Sequence, residues 1–257
     1  MVKVRAKKSL GQHFLKDKAV ARRVADSLSG SGCDSILEIG PGTGILTGFL
    51  LQRKFRDFRV IEIDNESVHY LQTNFPELSN LIRGDFLQLD IDRMFPGKLG
   101  IIGNFPYNIS TQILFKVLDH RNKIVEITGM LQKEVAERIC AGPGSRTYGI
   151  LSVLLQAFYD ARYLFTVPES VFSPPPRVKS GVIRLIRNET ESLNCDEKLF
   201  FRVVKSCFNQ RRKTLRNSVR SAFQLRSEDY PEFHLRPEQL SVYQFINLTN
   251  WISVNKI

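Results

Sequence analysis

The feature that most constrains the fold of this chain is a strand that ends in a glycine-rich turn and continues into a helix. Residues 35–40 have the sequence Ser-Ile-Leu-Glu-Ile-Gly, which predicts a buried strand, and Pro-Gly-Thr-Gly follows at 41–44. An apolar helical pattern extends from residue 45 to residue 53. Such a unit is typical of parallel α/β sheets, and it brings backbone N–H groups and a helix N-terminus to the sheet edge where ligands bind.

The same alternation of strands and helices continues along most of the chain. Strand patterns recur at residues 59–64, 81–86, 99–103, 123–132, 160–167 and 181–186. We therefore predict an α/β fold with a mostly parallel, doubly wound sheet. After a polar stretch at 188–196 only helical patterns follow, at residues 199–208, 213–223 and 237–251. These patterns predict a first domain of residues 1–190 and a small all-helical domain of residues 191–257.

The net charge of +11 is concentrated at the two ends of the chain. Residues 1–23, which we expect to form an N-terminal arm, carry a net charge of +7. Residues 24–194 carry −1 and residues 195–257 carry +5. A nearly neutral body between basic segments favours a polyanion, and therefore nucleic acid, as the partner. The alternative is charge that only keeps the protein soluble.

Several other classes of protein are excluded. No apolar run reaches the ~18 residues of a membrane span, and the basic start lacks the apolar stretch of a secretory signal. Neither CxxC pairing nor metal-ligand spacing is found among the four cysteines, Cys33, Cys140, Cys195 and Cys207. We therefore expect a cytoplasmic protein with reduced cysteines, no membrane contact and no metal.

The spacing of the glycines indicates which cofactor the turn could bind. The pattern is Glu38-x-Gly40-x-Gly42-x-Gly44. It lacks the G-x-G-x-x-G spacing of dinucleotide-binding turns. It is instead the pattern of S-adenosylmethionine-dependent methyltransferases, so Gly40 and Gly42 are candidate cofactor contacts.

The next two strands end in side chains that suit a nucleoside. Glu62 lies about 20 residues past the glycines, where a carboxylate can accept hydrogen bonds from both ribose hydroxyls. Asp64 is expected to cap the helix that follows. Asp85 suits the exocyclic amine of adenine, and Phe86 suits the ring face. The alternative for each acid taken alone is a solvated loop carboxylate.

The fourth strand ends in an unusual connector, Asn-Phe-Pro-Tyr-Asn-Ile-Ser at residues 104–110. The side-chain oxygen of Asn104 and the carbonyl of Pro106 are candidate acceptors for the two N–H bonds of an aromatic amine. Tyr107 could stack on the same ring. The simpler alternative is a strand–helix connector with a half-buried tyrosine.

These motifs resemble the small-subunit ribosomal RNA adenine dimethyltransferases over nearly the whole chain. Seven segments in family order carry the resemblance: residues 11–15 (Gly-Gln-His-Phe-Leu), 38–44, 62–64, 84–86, 104–110, 172–178 (Phe-Ser-Pro-Pro-Pro-Arg-Val) and 208–217 (Phe-Asn-Gln-Arg-Arg-Lys-Thr-Leu-Arg-Asn). The last of them, with Arg-Pro-Glu-Gln-Leu-Ser at 236–241, favours this family over the erythromycin-resistance methyltransferases, which are similar in the first domain.

The resemblance implies a Rossmann-like class I methyltransferase sheet and S-adenosyl-L-methionine as the methyl donor. It also implies the target, two adjacent adenosines in the 3′-terminal hairpin of 16S rRNA. Each would be dimethylated at N6 in the immature 30S subunit, and we expect the enzyme to be a monomer. Two alternatives remain, a resistance-type enzyme that methylates adenine in 23S rRNA and a mainly non-catalytic ribosome-assembly factor.

The family's residue roles can be carried over to matching positions. Cofactor contacts are implied at His13, Leu15, Gly40, Glu62, Asp85 and Asn104. His13 departs from the family pattern, because many relatives carry Asn there, so a backbone contact and a side-chain contact both remain open. For the extruded adenine, Asn104 and Pro106 would accept from N6, Tyr107 would stack on the base and Phe172 would cover its other face.

Four basic residues are expected on or beside one helix, where they would contact RNA phosphates: Arg211, Arg212, Lys213 and Arg216. The alternative is a solvated basic helix face.

Overall fold

The computed structural model describes residues 4–227 and 229–257, so the first three residues of the predicted arm lie outside the described residues. Strands β1 to β9 are, in chain order, Phe14–Leu15, Ser35–Ile39, Phe58–Glu62, Leu81–Arg83, Leu99–Asn104, Ile124–Gln132, Tyr159–Val167, Phe172–Ser173 and Ser180–Arg187. Helices α1 to α10 are Lys18–Ser27, Ile45–Leu51, Asn65–Asn74, Ile91–Met94, Ser110–Asp119, Lys133–Cys140, Ile150–Gln156, Glu197–Asn209, Leu215–Arg220 and Val242–Asn255. Within the described ranges, no helix is long and apolar enough to cross a membrane.

Seven strands form one sheet in the order β4-β3-β2-β5-β6-β9-β7. The pairs β2–β3, β3–β4, β2–β5 and β5–β6 are parallel, and β9 runs antiparallel to β6. From β2 the chain builds outward through β3 and β4, and it then returns to place β5 on the other side of β2. This reversal opens a crevice at the carboxyl ends of β2 and β5, where doubly wound sheets bind ligands. The predicted doubly wound α/β fold is confirmed.

The central strands form because their residues are apolar on both faces, as a sheet covered by helices on both sides requires. All five residues of β2 are buried, and so are the first five of β5. One face packs against α1 and α2, through Val24, Leu46 and Leu50. The strands β1 and β8 form a separate two-stranded ladder.

The chain divides into two compact units. The first comprises the chain up to Ala136 together with Arg162–Arg187, and the second comprises Glu137–Ala161 together with Asn188–Ile257. The second unit thus contains α7, which the sequence-based division at residue 190 assigned to the first domain. The division into two functional domains stays a prediction.

Within the second unit, two aromatic clusters fill the interior. Tyr148 packs on Phe208, with ring centroids 6.2 Å apart, and Phe208 packs on Phe245 at 5.8 Å. The other cluster contains Tyr230, Phe233 and Trp251. The helix predicted at 237–251 begins later, because Ser241 caps α10 by accepting a hydrogen bond from the Gln244 backbone.

At the end of β5, two glycines make room for the ring of Phe105. Gly103 and Gly129 are direct neighbours on β5 and β6, and Phe105 is 1% exposed. The Phe105 backbone N–H donates to the Met130 carbonyl at 2.9 Å. A Cβ on Gly129 would overlap the Phe105 ring. The connector that follows β5 is therefore anchored on the sheet itself.

We expect Gly129→Ala to lower the free energy of unfolding by roughly 1–3 kcal/mol, because the added methyl group overpacks the Phe105 contact. Urea denaturation of the purified protein measures this change. Gly142→Ala is the matched control, since a Cβ there meets nothing within 4 Å, and its effect should stay within about 0.5 kcal/mol. Equal effects of the two substitutions would contradict the packing argument.

A second constraint on the sheet is the buried carboxyl of Glu38 in β2. Glu38 is 1% exposed, and the Thr47 hydroxyl donates to it at 2.7 Å. Burial, with a smaller contribution from the nearby charge of Glu62, raises the pKa of Glu38 to about 8. At neutral pH the carboxyl is therefore mostly protonated in the folded protein, which lets it lie in an apolar layer.

The unfolded chain ionises Glu38 near pH 4.5, whereas the folded protein holds this proton up to about pH 8. The free energy of unfolding should thus fall as pH rises through this window. Glu38→Gln has no proton to lose, so between pH 5 and pH 9 the variant should gain roughly 2–4 kcal/mol relative to the unmodified protein. Denaturation across that pH range measures the difference, and Glu77→Gln, at an exposed position, is the control.

Candidate active site

An open cavity lies at the carboxyl ends of β2, β3, β4 and β5. Its lining includes nine of the residues predicted from sequence: His13, Gly40, Gly42, Glu62, Asp85, Phe86, Asn104, Pro106 and Tyr107. Residues from five separate stretches of sequence thus meet at one edge of the sheet. Two predicted residues, Leu15 and Phe172, are not part of the lining.

The glycine turn lies against the N-terminal segment of the chain. Gly42 has a φ of +57°, a left-handed conformation that L side chains rarely adopt. A Cβ at this position would come within 2.8 Å of the Phe14 ring. Glycine at residue 42 therefore permits both the backbone geometry of the turn and the close approach of Phe14.

Glu62 is the buried carboxylate at the end of β3, with 4% of its surface exposed. It accepts hydrogen bonds from the backbone N–H groups of Gly42, at 3.0 Å, and Asp64, at 2.9 Å. Burial raises the pKa of Glu62, and these backbone donors act against that rise. The carboxylate holds the turn after β2 against the turn after β3, and its remaining lone pairs are available to ligand hydroxyls.

The end of β4 contributes Asp85 and Phe86. Asp85 Oδ1 accepts the Leu87 backbone N–H at 2.8 Å and caps the short turn Phe86–Gln88. The Lys116 ammonium donates to the carbonyls of Leu87 and Leu89 and so fixes this turn. The second oxygen of Asp85 has no protein donor among residues 4–227 and 229–257, so it can accept from a ligand amine beside the Phe86 ring.

Asn104 is oriented by a contact with the N-terminal segment. Its Nδ2 donates to the His13 carbonyl at 2.9 Å. A carbonyl can only accept, so the amide nitrogen must face it and the amide oxygen must face away. No donor from the described part of the chain reaches that oxygen. The Pro106 carbonyl accepts the Ile109 N–H at 3.1 Å and keeps one lone pair for a second donor.

Tyr107 is held at both its hydroxyl and its ring. The hydroxyl lies 2.6 Å from the Ser180 hydroxyl, and burial raises the pKa of the phenol. The ring lies 5.5 Å from the His13 ring, centroid to centroid. His13 Nδ1 is 2.8 Å from the Pro174 carbonyl and donates to it. His13 thus uses its carbonyl to orient Asn104 and its side chain to support Tyr107.

Leu15 and Phe172 do not reach the cavity. They are opposite each other in the β1–β8 ladder, and they are 5% and 1% exposed. Both side chains pack into the core with residues of α1, because the ladder directs these two apolar side chains to the same buried face. The Phe172 ring is therefore not in a position to cover a base in the cavity, as was expected from the resemblance. The Leu15 side chain does not line the cavity either.

Several lining residues were given no individual role in the sequence analysis, among them Gln12, Phe14, Ile63 and Asn108. Each lies within one of the motif segments 11–15, 62–64 and 104–110, so the motifs themselves were the available signal. Ile63 is 49% exposed and lines the cavity, so its apolar side chain is open to a ligand there.

The four predicted RNA-binding residues lie on or beside α9, as expected from the sequence. Arg211, Arg212 and Lys213 lie in the turn between α8 and α9, and Arg216 lies on α9. The Arg211 guanidinium donates to the Arg146 carbonyl and lies 3.9 Å from Glu238. Arg212 and Lys213 are exposed. No group of three or more potential metal-ligating side chains is found in residues 4–227 and 229–257.

Comparison with known proteins identifies close relatives. The profile of the family described as "Ribosomal RNA adenine dimethylase" matches residues 3–253. The ribosomal RNA small subunit methyltransferase A of Parabacteroides distasonis is 59% identical over 249 residues, which cover 96% of this chain and 93% of that protein. The protein of the same name from Cytophaga hutchinsonii is 58% identical and covers 98% and 99% of the two chains.

Solved structures share the fold. A dimethyladenosine transferase from Plasmodium falciparum aligns with a TM-score of 0.78 at 25% identity, over 95% of this chain and 100% of that one. The 23S rRNA methyltransferase ErmE aligns with a TM-score of 0.69 at 23% identity, over 92% and 99%. Since the family profile spans nearly the whole sequence, the chain belongs to the ribosomal RNA adenine dimethylase family of S-adenosyl-L-methionine-dependent methyltransferases.

Proposed function

We propose that this chain transfers methyl groups from S-adenosyl-L-methionine to N6 of two adjacent adenosines in the 3′-terminal hairpin of 16S rRNA, dimethylating each. The names of its relatives support methylation of small-subunit ribosomal RNA. The observation that carries the chemistry is the Asn104 amide, whose nitrogen is held by His13 so that its oxygen is left for a donor in the cavity. We also propose that the protein acts as a monomer in the cytoplasm on the immature 30S subunit.

The residues of the cavity fit the proposed cofactor. Glu62 would accept from the ribose hydroxyls, and the unused oxygen of Asp85 would accept from the adenine amine. Phe86 and Ile63 offer apolar surface to the purine ring. When bound, S-adenosyl-L-methionine supplies a methyl group attached to a positively charged sulfur, which a nitrogen lone pair can attack.

The substrate side of the cavity fits the amine of adenine. The N6 lone pair is delocalised into the ring, so the free amine is a poor nucleophile. If Asn104 Oδ1 and the Pro106 carbonyl accept hydrogen bonds from its two N–H groups, the nitrogen becomes pyramidal and its lone pair points at the methyl group. The acceptor oxygens also stabilise the positive charge that develops on N6. The product ammonium is acidic and releases its proton to water, so no general base is needed.

Tyr107 is our candidate for the stacking platform of the extruded base. Its hydroxyl contact with Ser180 and its ring contact with His13 fix the plane of the ring before substrate arrives. A preset ring reduces the entropy lost when the base stacks on it. Base stacking on an aromatic side chain contributes roughly 1–3 kcal/mol, which offsets part of the cost of unstacking.

Methyl transfer from labelled S-adenosyl-L-methionine tests the proposal. We expect incorporation into small subunits lacking this modification, less into naked rRNA and none into large subunits. Asn104→Ala should reduce the rate by about 10²-fold or more, because N6 loses an aligned acceptor. Incorporation into large subunits would instead favour a resistance-type enzyme.

Complementation distinguishes methyl transfer from a mainly non-catalytic role in ribosome assembly. In a strain lacking the protein, Asn104→Ala should fail to restore normal subunit assembly if methyl transfer is the function. Full restoration by this variant would contradict the proposal, since the variant keeps its basic segments but loses both the acceptor oxygen and the contact with the His13 carbonyl.

For RNA binding we propose phosphate contacts by the exposed Arg212 and Lys213, with Arg216 beside them on α9. Arg211 would support the turn and not contact phosphate itself, because its guanidinium donates to the Arg146 carbonyl and lies beside Glu238. Each phosphate contact releases condensed counterions, so affinity should fall as salt rises.

We expect Arg212→Ala and Lys213→Ala each to weaken binding to small-subunit RNA and to reduce the slope of log affinity against log salt by about 1. Filter binding between 50 and 200 mM salt measures the slope. Lys256→Ala, an exposed lysine of the same unit, is the matched control and should leave the slope unchanged. An unchanged slope in all three variants would remove the turn from the RNA contact.

A further inference from the structure

The N-terminal segment, residues 7–14, lies over the cofactor end of the cavity. Leu10, Gly11, Gln12, His13 and Phe14 all line the cavity together with the glycine turn and Glu62. Phe14 packs on Gly42, and the His13 carbonyl binds Asn104. The segment therefore forms part of the wall that a ligand in the cavity would meet.

Lys7 ties the start of this segment to the body of the first unit. Its ammonium forms an ion pair with Asp64 and lies 3.1 Å from Glu66. Its backbone N–H donates to Gln12 Oε1 at 2.8 Å, and Gln12 Nε2 donates to Asp64 Oδ2 at 3.4 Å. Both ends of the turn over residues 7–12 thus converge on one carboxylate.

Asp64 is a strong anchor because it is buried, with 2% of its surface exposed. Burial alone would raise its pKa, but hydrogen bonds from Lys7, Gln12 and Ser67 hold the pKa below its usual value. The hydrogen bond to Asp64 in turn raises the pKa of Lys7. A buried carboxylate that loses its cation is left uncompensated, which favours the bound arrangement of the segment.

The position of Asp64 connects this anchor to the cofactor. Asp64 follows Glu62 by two residues, donates its backbone N–H to the Glu62 carboxylate at 2.9 Å and caps α3. The charge of Lys7 is therefore paired with carboxylates of the protein itself, whereas the contact of the other basic residues of the arm with a polyanion stays a prediction.

We propose that Lys7 is a positioning residue for the cofactor, which holds residues 7–14 against Asp64 and so slows the escape of S-adenosyl-L-methionine from the cavity. This inference rests on the proposed function of the cavity. Without the ion pair, the segment loses its anchor beside Glu62, and the wall formed by Leu10–Phe14 opens more often. The effect should fall on the dissociation rate of the cofactor and not on the methyl-transfer step.

The experiment measures binding of S-adenosyl-L-methionine to the full chain by calorimetry and its release by stopped flow. Lys7→Met should raise Kd about tenfold through a faster dissociation rate, and Glu66→Gln should have a smaller effect in the same direction. Lys7→Arg should restore Kd to within about threefold. Lys8→Met is the matched control, since this exposed neighbour carries the same charge, and it should bind as the unmodified protein does.

Two further measurements separate positioning from other roles. Raising salt should speed release from the unmodified protein more than release from Lys7→Met, because the variant lacks the ion pair between Lys7 and Asp64. At saturating cofactor, kcat on small subunits should be the same for both.

An unchanged Kd for S-adenosyl-L-methionine in Lys7→Met would overturn the inference. If the KM for RNA were raised at the same time, Lys7 would instead be an RNA contact. If the unmodified chain fails to bind S-adenosyl-L-methionine at all, the proposed function itself is wrong. Normal binding in the unmodified chain, in Lys7→Arg and in Lys8→Met, with weak binding only in Lys7→Met and Glu66→Gln, would support the inference.

Discussion

The arrangement of the active site depends on one hydrogen bond between residues that are 91 positions apart in the sequence, from the Asn104 amide to the His13 carbonyl. This bond fixes which atom of the amide faces the cavity, and it holds the N-terminal segment beside the strand end where we propose the substrate contacts. The same segment packs on the glycine turn and is anchored at Asp64. The residues proposed for cofactor contact and those proposed for substrate contact are therefore joined through the N-terminal segment.

The buried carboxylates divide their tasks according to their surroundings. Glu38 has one hydroxyl donor and an apolar environment, so it stays protonated near neutral pH and serves the core. Glu62 has backbone donors from two turns, which support its ionised form and aim it into the cavity. Asp64 has a lysine partner and serves as an anchor. Three acids within 27 residues thus have three separate roles, set by what donates to them.

Much of the fold and of the candidate site could be predicted from the sequence, because the sequence patterns that indicate them are local. Apolar runs with glycine or acid at their ends predict parallel strands and their ligand edge, and the structure places Gly42, Glu62, Asp85 and Asn104 there. What failed depended on contacts distant in sequence. An aromatic residue before three prolines looks like an exposed cover, but pairing with β1 turns Phe172 into the core. Likewise, nothing in the two basic segments shows that the Arg211 guanidinium donates to the Arg146 carbonyl, or that Lys7 forms an ion pair with Asp64.

The glycine pair beneath Phe105 has a consequence for how this sequence can change over time. Gly103 and Gly129 belong to different strands. A Cβ on Gly129 would overlap the Phe105 ring, and a Cβ on Gly103 would come within 2.5 Å of the Ile39 carbonyl oxygen and 3.1 Å of the same ring. A mutation at either glycine is expected to displace Asn104 and Pro106, although neither glycine lines the cavity. Purifying selection should therefore act on these two backbone positions as well as on the residues proposed to contact adenine, and pairs of compensating changes there should be rare.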